Sequence, residues 1–227
     1  MEVNFMNLFL YSFFFGLFSL TRFLVPLGLV DRPITISLIF AFFVQDIELC
    51  LGTGIFFELL WLDSFPAGTY IPPQRQFPLF MTLAISSNIP ITNPNLFYLL
   101  LLTTIPFAHI GKWLERFHRV TQNKGYDKIT EKITTLPSYH LGPRLIKSLM
   151  QLLLINITVF FISCIIVMKA ITIIHRYIPL STSTEVNWPA IWAISFIGGI
   201  LSLRIKMSYL TFIVSYVALA IILVFFQ

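Results

Sequence analysis

Residues 51–62 read Leu51-Gly52-Thr53-Gly54-Ile55-Phe56-Phe57-Glu58-Leu59-Leu60-Trp61-Leu62, an apolar run with one carboxylate inside it. A stretch rich in proline, glycine and polar residues follows, from Asp63 to Gln74. A carboxylate at membrane depth costs roughly 2.5 to 3.5 kcal/mol on insertion scales, so Glu58 needs partners, water or a substrate. The acid beside an irregular backbone favours a transport site.

The composition is that of an integral membrane protein. Of the 227 residues, 57% are hydrophobic, 11% are charged and 24 are phenylalanine, and the mean hydropathy is +0.85. Soluble domains carry about 25% charged residues, and domains of this size still expose much of their surface to water. The first apolar run lacks the basic n-region and cleavage pattern of a signal peptide, so we expect it to remain in the mature protein.

The apolar segments predict an all-α, multi-span membrane bundle with broken or re-entrant helical hairpins. Full spans are expected at 5–30, 96–110, 149–168 with an extension to 178, 188–203 and 207–226. The pieces 34–44 and 49–62 are shorter than the roughly 20 residues that cross a bilayer. Because polar residues including Asp46 separate them, the pair forms either a hairpin that dips into the membrane or a tightly turned, capped junction. The piece 77–87 is bracketed by prolines and is predicted to be broken helix.

Positive charge is concentrated in residues 111–148, which hold eight basic and three acidic residues, a net +5. The positive-inside rule places this segment in the cytoplasm, between N-terminal spans at 1–110 and C-terminal spans at 149–227 of one membrane domain. Apolar residues recur there at helical spacing and predict a basic amphipathic helix: Trp113, Leu114, Phe117 and Val120. The charged residues Lys112, Glu115, Arg116 and Arg119 face elsewhere on this helix. The helix either lies along an anionic leaflet or packs against its own bundle with its charges as a solvated face. Nucleic-acid binding is not indicated.

The sequence contains no P-loop, GxSxG or HExxH motif, its four histidines are scattered, and Cys50 and Cys164 lie apart as packing residues. No cofactor or metal is expected. Glu58 is therefore the leading candidate, either as a hydroxyl acceptor for a polar solute, as a proton-coupled carboxylate, or as a structural acid held by backbone donors. Asp63 is either a second site residue or a helix-end residue.

The order of these features resembles the IIC subunit of mannose, fructose and sorbose type phosphotransferase systems. The matching segments are Asp31-Arg32-Pro33, the short pieces flanking Asp46, the run through Glu58, Pro66-Ala67-Gly68-Thr69-Tyr70-Ile71-Pro72-Pro73, and Ile105-Pro106-Phe107-Ala108-His109-Ile110-Gly111 before the amphipathic helix. They cover most of the first 160 residues. The last third matches only as generic membrane spans.

The resemblance implies a multi-pass sugar permease subunit of a bacterial inner membrane that is no enzyme by itself. It would form a hetero-oligomer with the membrane subunit IID and work with cytoplasmic IIA and IIB proteins, IIB supplying the phosphoryl group to the sugar. The implied sugar site centres on Glu58 as a hydroxyl acceptor. The other implied site residues are Gly54, Asp63, Gly68, Pro72, Pro73 and Gln74.

Gln74 departs from the family, which often has an acid after the two prolines. Two alternatives therefore stay open beside the permease: an assembly or regulatory homologue that does not transport, and a stand-alone proton-coupled transporter in which Glu58 titrates.

Overall fold

The computed structural model describes residues 4–24, 31–44, 46–64, 70–89, 93–135, 142–177 and 186–202, with single positions near the C-terminus. These residues form helices and no strands, as predicted. The helices are α1 (Phe5–Leu24), α2 (Pro33–Val44), α3 (Ile47–Leu60), α4 (Gln76–Asn88), α5 (Pro94–Thr104), α6 (Phe107–Thr135), α7 (Gly142–Tyr177) and α8 (Trp188–Ser202). The predicted segment 207–226 lies almost entirely outside the described residues.

Two helical segments in the described part of the chain are long and apolar enough to cross a membrane by length and composition. The first is Pro94–Asn123, which covers α5, the turn at 105–106 and the first half of α6. The second is Gly142–Ile174 in α7. Shorter apolar helices accompany them, namely Phe5–Thr21, Pro33–Val44 and Trp188–Ser202. The lengths support a membrane location for the chain.

The two short pieces around Asp46 form a helical hairpin with a capped turn. The Asp46 side chain accepts a hydrogen bond of 3.0 Å from the backbone N–H of Leu49, so it caps the start of α3. Helices α2 and α3 then pack along each other, and Gly54 lies directly against Ser37. The capped junction that the sequence offered as one alternative is therefore observed.

Helix α4 is the most deeply buried helix of the described part, and it packs against α1, α2, α3, α5, α6 and α7. The prediction of broken helix at 77–87 is wrong, because α4 is continuous. Pro78 lies in its first turn, where the missing N–H has no intrahelical partner to lose. Pro106, by contrast, does interrupt helix, since a turn at 105–106 separates α5 from α6.

An aromatic layer fills the middle of the α1–α4 group. Phe15 stacks on Phe160 of α7 with ring centroids 4.5 Å apart and meets Phe77 at 4.8 Å, while Phe40 and Phe80 meet edge to face at 4.9 Å. All five rings are buried. The ring contacts of this layer join α1 to α4 and α7, and α2 to α4.

Helix α8 is fastened to α3 by side-chain bonds to backbone carbonyl groups. Trp192 Nε1 donates to Gly52 O at 3.1 Å, and Ser195 Oγ donates to Phe56 O at 2.6 Å, one helical turn further on. A methyl group on Gly199 would lie 2.5 Å from Leu59 O, so the two backbones touch there. The helix that carries Glu58 is therefore supported by the C-terminal part of the chain.

Candidate functional site

Glu58 lies near the end of α3, is 7% exposed, and is held by two arginines. Its Oε1 atom accepts from Arg32 Nη1 at 2.6 Å and lies 3.4 Å from Arg75 Nη1. Arg75 also donates from Nη2 to Ser64 O at 3.0 Å. The partners of this carboxylate are thus guanidinium groups and not the backbone donors that the sequence left open.

The hairpin geometry explains why these charges meet. Arg32 directly precedes Pro33, where α2 begins, and the start of α2 lies beside the end of α3. Gly54 is one turn before Glu58, and its lack of a side chain lets α2 approach α3 closely: a methyl group on residue 54 would lie only 3.2 Å from Pro33 O. Arg75 is the N-cap residue of α4. Three helix ends therefore converge on one carboxylate.

A second polar group adjoins the first along the chain. Asp31 Oδ1 accepts from Thr21 Oγ1 at 2.7 Å and from Gln76 Nε2 at 3.3 Å. Asp31 neighbours Arg32 in the sequence and Gln76 neighbours Arg75, so the two polar groups are adjacent along the chain and the second contributes one further negative charge. The formal charges of the four ionisable residues balance.

Gln74 belongs to a third polar group that ties α1, α6 and α7 together. Its backbone N–H donates to Ala108 O at 3.0 Å, and its Nε2 donates to Ser19 Oγ at 3.1 Å. Asn156 Nδ2 of α7 donates to the same Ser19 oxygen at 2.7 Å. The Gln74 side chain also packs on Gly111, where no larger residue would fit.

The first two polar groups together form what we call the Glu58 network, which consists of Thr21, Asp31, Arg32, Glu58, Arg75 and Gln76. Two acceptor atoms in this network are buried and have no hydrogen-bond partner among the described residues. They are Glu58 Oε2 and Gln76 Oε1. An unmatched buried polar atom costs roughly 1 to 3 kcal/mol, and more when it is charged, so both atoms have a strong drive to accept a donor. A ligand that presents hydroxyl or amine hydrogens would satisfy them.

The remaining predicted site residues have varied positions. Pro72 and Pro73 are buried and lead into Gln74, and Gly68 lies outside the described residues. Asp63 accepts from Ser202 Oγ of α8 at 2.9 Å through Oδ2, while its Oδ1 is buried without a partner among the described residues. Asp63 therefore joins the end of α3 to α8 and lies next to Ser64, the residue that binds Arg75.

The sequence prediction missed the partners of Glu58 and Gln74. Arg32 and Arg75 each flank an apolar helix, and the cost of an uncompensated buried charge was the signal that could have singled them out. Asn156 stands out in the sequence only because Asn156-Ile157-Thr158 matches a glycosylation sequon by chance. Its side chain is buried and serves as an interhelical donor.

Comparisons of this chain with known proteins found no relative. No protein-family model matches the sequence, and searches of curated proteins and of solved structures find no similar chain.

Proposed function

We propose that this chain is a IIC-type permease subunit of a sugar phosphotransferase system, a multi-pass protein of a bacterial inner membrane that binds and translocates a hexose. The observation that carries the proposal is the buried Glu58 carboxylate, which is ion-paired through one oxygen and, among the described residues, lacks a partner on the other. It lies where the ends of short helices converge, the arrangement that membrane transporters use for binding sites.

The chemistry of the network suits a hydroxyl-rich solute. Within the described part of the chain, Glu58 Oε2 and Gln76 Oε1 are acceptors without partners, and hydroxyl groups are donors. Hydrogen bonds to an ionised acceptor are roughly twice as strong as neutral ones, so Glu58 would contribute most of the orientation. A sugar in this position would exchange its hydration shell for fixed protein groups.

The partners follow from the resemblance. The chain would assemble with IID in the membrane, and IIB, rephosphorylated by IIA, would supply the phosphoryl group that traps the sugar. An assembly homologue that does not transport, and a stand-alone proton-coupled transporter, are the competing proposals. Dependence of uptake on the phosphocarrier proteins distinguishes all three.

The test is phosphoenolpyruvate-dependent hexose uptake by vesicles that contain this chain and IID, with IIA and IIB supplied. Glu58→Gln keeps the shape of the side chain and removes its charge. Glu48→Gln is the matched control, because Glu48 is an exposed residue in the first turn of the same helix. We expect Glu58→Gln to lower uptake at least tenfold, since a hydrogen bond to a charged group is worth about 1.5 to 3 kcal/mol, and we expect Glu48→Gln to behave as the wild type.

The other outcomes identify the alternatives. Uptake of no hexose by the wild type, with the complex intact, would support the assembly homologue. Uptake that follows a pH gradient without phosphocarriers would support the proton-coupled transporter.

A further inference from the structure

A cleft of about 430 Å³ opens at the end of the α1–α4 group remote from Glu58. We call it the distal cleft. It is lined by the start of α1, the end of α2, the start of α3 and the end of α4, and its polar lining residues are Asn7, Tyr11, Asp46, Ser86 and Ser87. The Glu58 network uses the opposite end of each of these helices.

The separation of the two polar regions follows from helix geometry. On α3, Leu49 lines the distal cleft and Glu58 lies nine residues further on, which corresponds to about 14 Å at the rise of an α-helix. Phe40 lines the cleft and contacts the buried ring of Phe80. The distal cleft and the Glu58 network are therefore two polar regions at opposite ends of the same helices.

The lining of the distal cleft selects a class of ligand. Four of its five polar side chains are neutral, and their hydroxyl or amide groups both donate and accept hydrogen bonds. Ser86 Oγ is buried and has no partner among the described residues. Asp46 is the charged residue of the described lining, and no described cation accompanies it there. A neutral polyol fits these groups, while a phosphorylated sugar meets a carboxylate without a compensating charge.

The walls and the volume agree with a monosaccharide. Phe14, Phe40 and Phe43 supply flat apolar surfaces, and the volume falls in the range of roughly 300 to 1,000 Å³ that is typical of small-molecule sites. A sugar ring offers apolar C–H faces to such walls and hydroxyl edges to the polar groups.

The basic segment sets the direction in which the cleft faces. Gln74 precedes Arg75 at the end of the helix group that holds Glu58. It contacts Ala108 and also Gly111, the residue at which the segment 111–148 begins. That segment carries the net positive charge of the chain and is expected in the cytoplasm. The Glu58 network is then on the cytoplasmic side, and the distal cleft faces the outside.

We propose that the distal cleft is the outward-facing site at which a neutral hexose first binds, before it reaches Glu58. The proposal rests on the proposed function for its direction of transport. Its two claims, sidedness and hexose binding, are measured without phosphoryl transfer.

The experiment uses Ser87→Cys as a reporter in the full chain with its IID partner. Ser87 is an exposed lining residue, whereas native Cys50 and Cys164 are buried, so the wild type gives the background. Intact cells are treated with a membrane-impermeant sulfonated maleimide. Arg116→Cys, at an exposed position in the basic segment, is the matched control for the other side. Val44→Cys reports on the α2 wall should Ser87→Cys fail to accumulate.

We expect Ser87→Cys to be labelled in intact cells and Arg116→Cys only in inverted vesicles. Mannose or fructose should slow the labelling of Ser87→Cys severalfold, and mannose 6-phosphate should not. Labelling of the cleft positions only from the cytoplasmic side, or of neither position from any side, overturns the proposal. If neither mannose nor fructose slows the labelling of Ser87→Cys, the proposal is also overturned. If choline alone slows the labelling, the cleft binds an organic cation and the proposal is overturned as well. Hexose protection without phosphocarrier-dependent uptake would refute the phosphotransferase role and leave the distal cleft standing.

Discussion

At the scale of single residues, we expect the two ion pairs of Glu58 to contribute to the stability of the fold and to the proposed binding of a sugar. We expect Glu58→Leu to lower the free energy of unfolding by about 2 to 4 kcal/mol, because it removes the carboxylate that pairs with two partly buried arginines. The Arg75 side chain is only 13% exposed, whereas that of Arg32 is 34% exposed and can reach water. Arg32→Met should also be destabilising, by about 1 to 3 kcal/mol, because it removes the 2.6 Å partner of a buried carboxylate while Arg75 remains at 3.4 Å.

A double-mutant cycle checks this prediction. Unfolding of the purified protein in mixed micelles is measured for both single variants and for Glu58→Leu/Arg32→Met. The double variant should lose less than the sum of the singles, with a coupling of about 1 to 3 kcal/mol. Strictly additive losses would mean that the 2.6 Å contact contributes nothing.

The sequence could show that Glu58 needs partners but not which residues supply them. A carboxylate in an apolar run is visible in any window, and so is its cost in a membrane. Arg32 and Arg75 lie 26 and 17 residues away along the chain, and only the packing of α2 and α4 against α3 brings them to the same oxygen. Ser19 and Asn156 are separated by 137 residues, so their bond was equally hidden from local pattern.

At the scale of helices, adjacent glycines on α8 offer a matched test of how it packs on α3. A methyl group at Gly199 would lie 2.5 Å from the backbone oxygen of Leu59, which cannot move without shifting α3. At Gly198 the nearest atom is Leu60 Cδ1 at 3.6 Å, an ordinary contact. We expect Gly199→Ala to destabilise the protein by about 1 to 3 kcal/mol through overpacking. Gly198→Ala should be neutral or stabilising by up to about 1 kcal/mol.

Thermal unfolding in detergent of the two variants, compared with the wild type, measures the difference. Equal melting temperatures would contradict the close approach of α8 to α3. Because α3 carries Glu58, Gly199→Ala should also weaken hexose uptake although it lies on another helix.

Helix bounds were predictable where apolar periodicity was uninterrupted, and less so near prolines. The expected span 188–203 agrees with α8, and 149–168 lies within α7. The prediction of broken helix at 77–87 was wrong because a proline interrupts a helix only beyond its first turn, and Pro78 lies within the first turn of α4. The helix begins after Arg75, its N-cap residue. Proline content alone does not reveal where a helix begins.

At the scale of the whole molecule, the amphipathic part of α6 turns the aromatic part of its apolar face away from the bundle. Trp113 is 61% exposed and Phe117 is 53% exposed, and their rings stack on each other with centroids 5.8 Å apart. Leu114 and Glu115 are the buried residues, and Glu115 pairs with Arg119 at 2.6 Å. Glu115 therefore faces away from the aromatic rings, as predicted, but it is buried and does not belong to a solvated face. Packing of the aromatic face against the described bundle is also excluded.

The exposed aromatic face predicts that α6 lies at the membrane surface, with the rings in the interface and its basic residues near lipid headgroups. An environment-sensitive fluorophore on Phe117→Cys should emit at shorter wavelength in anionic liposomes than the same fluorophore on Arg116→Cys. Residue 116 is the matched control because it is exposed on a different face of the same turn. Shallow brominated lipids should quench position 117 more strongly than position 116. Equal emission and equal quenching at both positions would place this helix in water and contradict the prediction that its aromatic face enters the membrane interface.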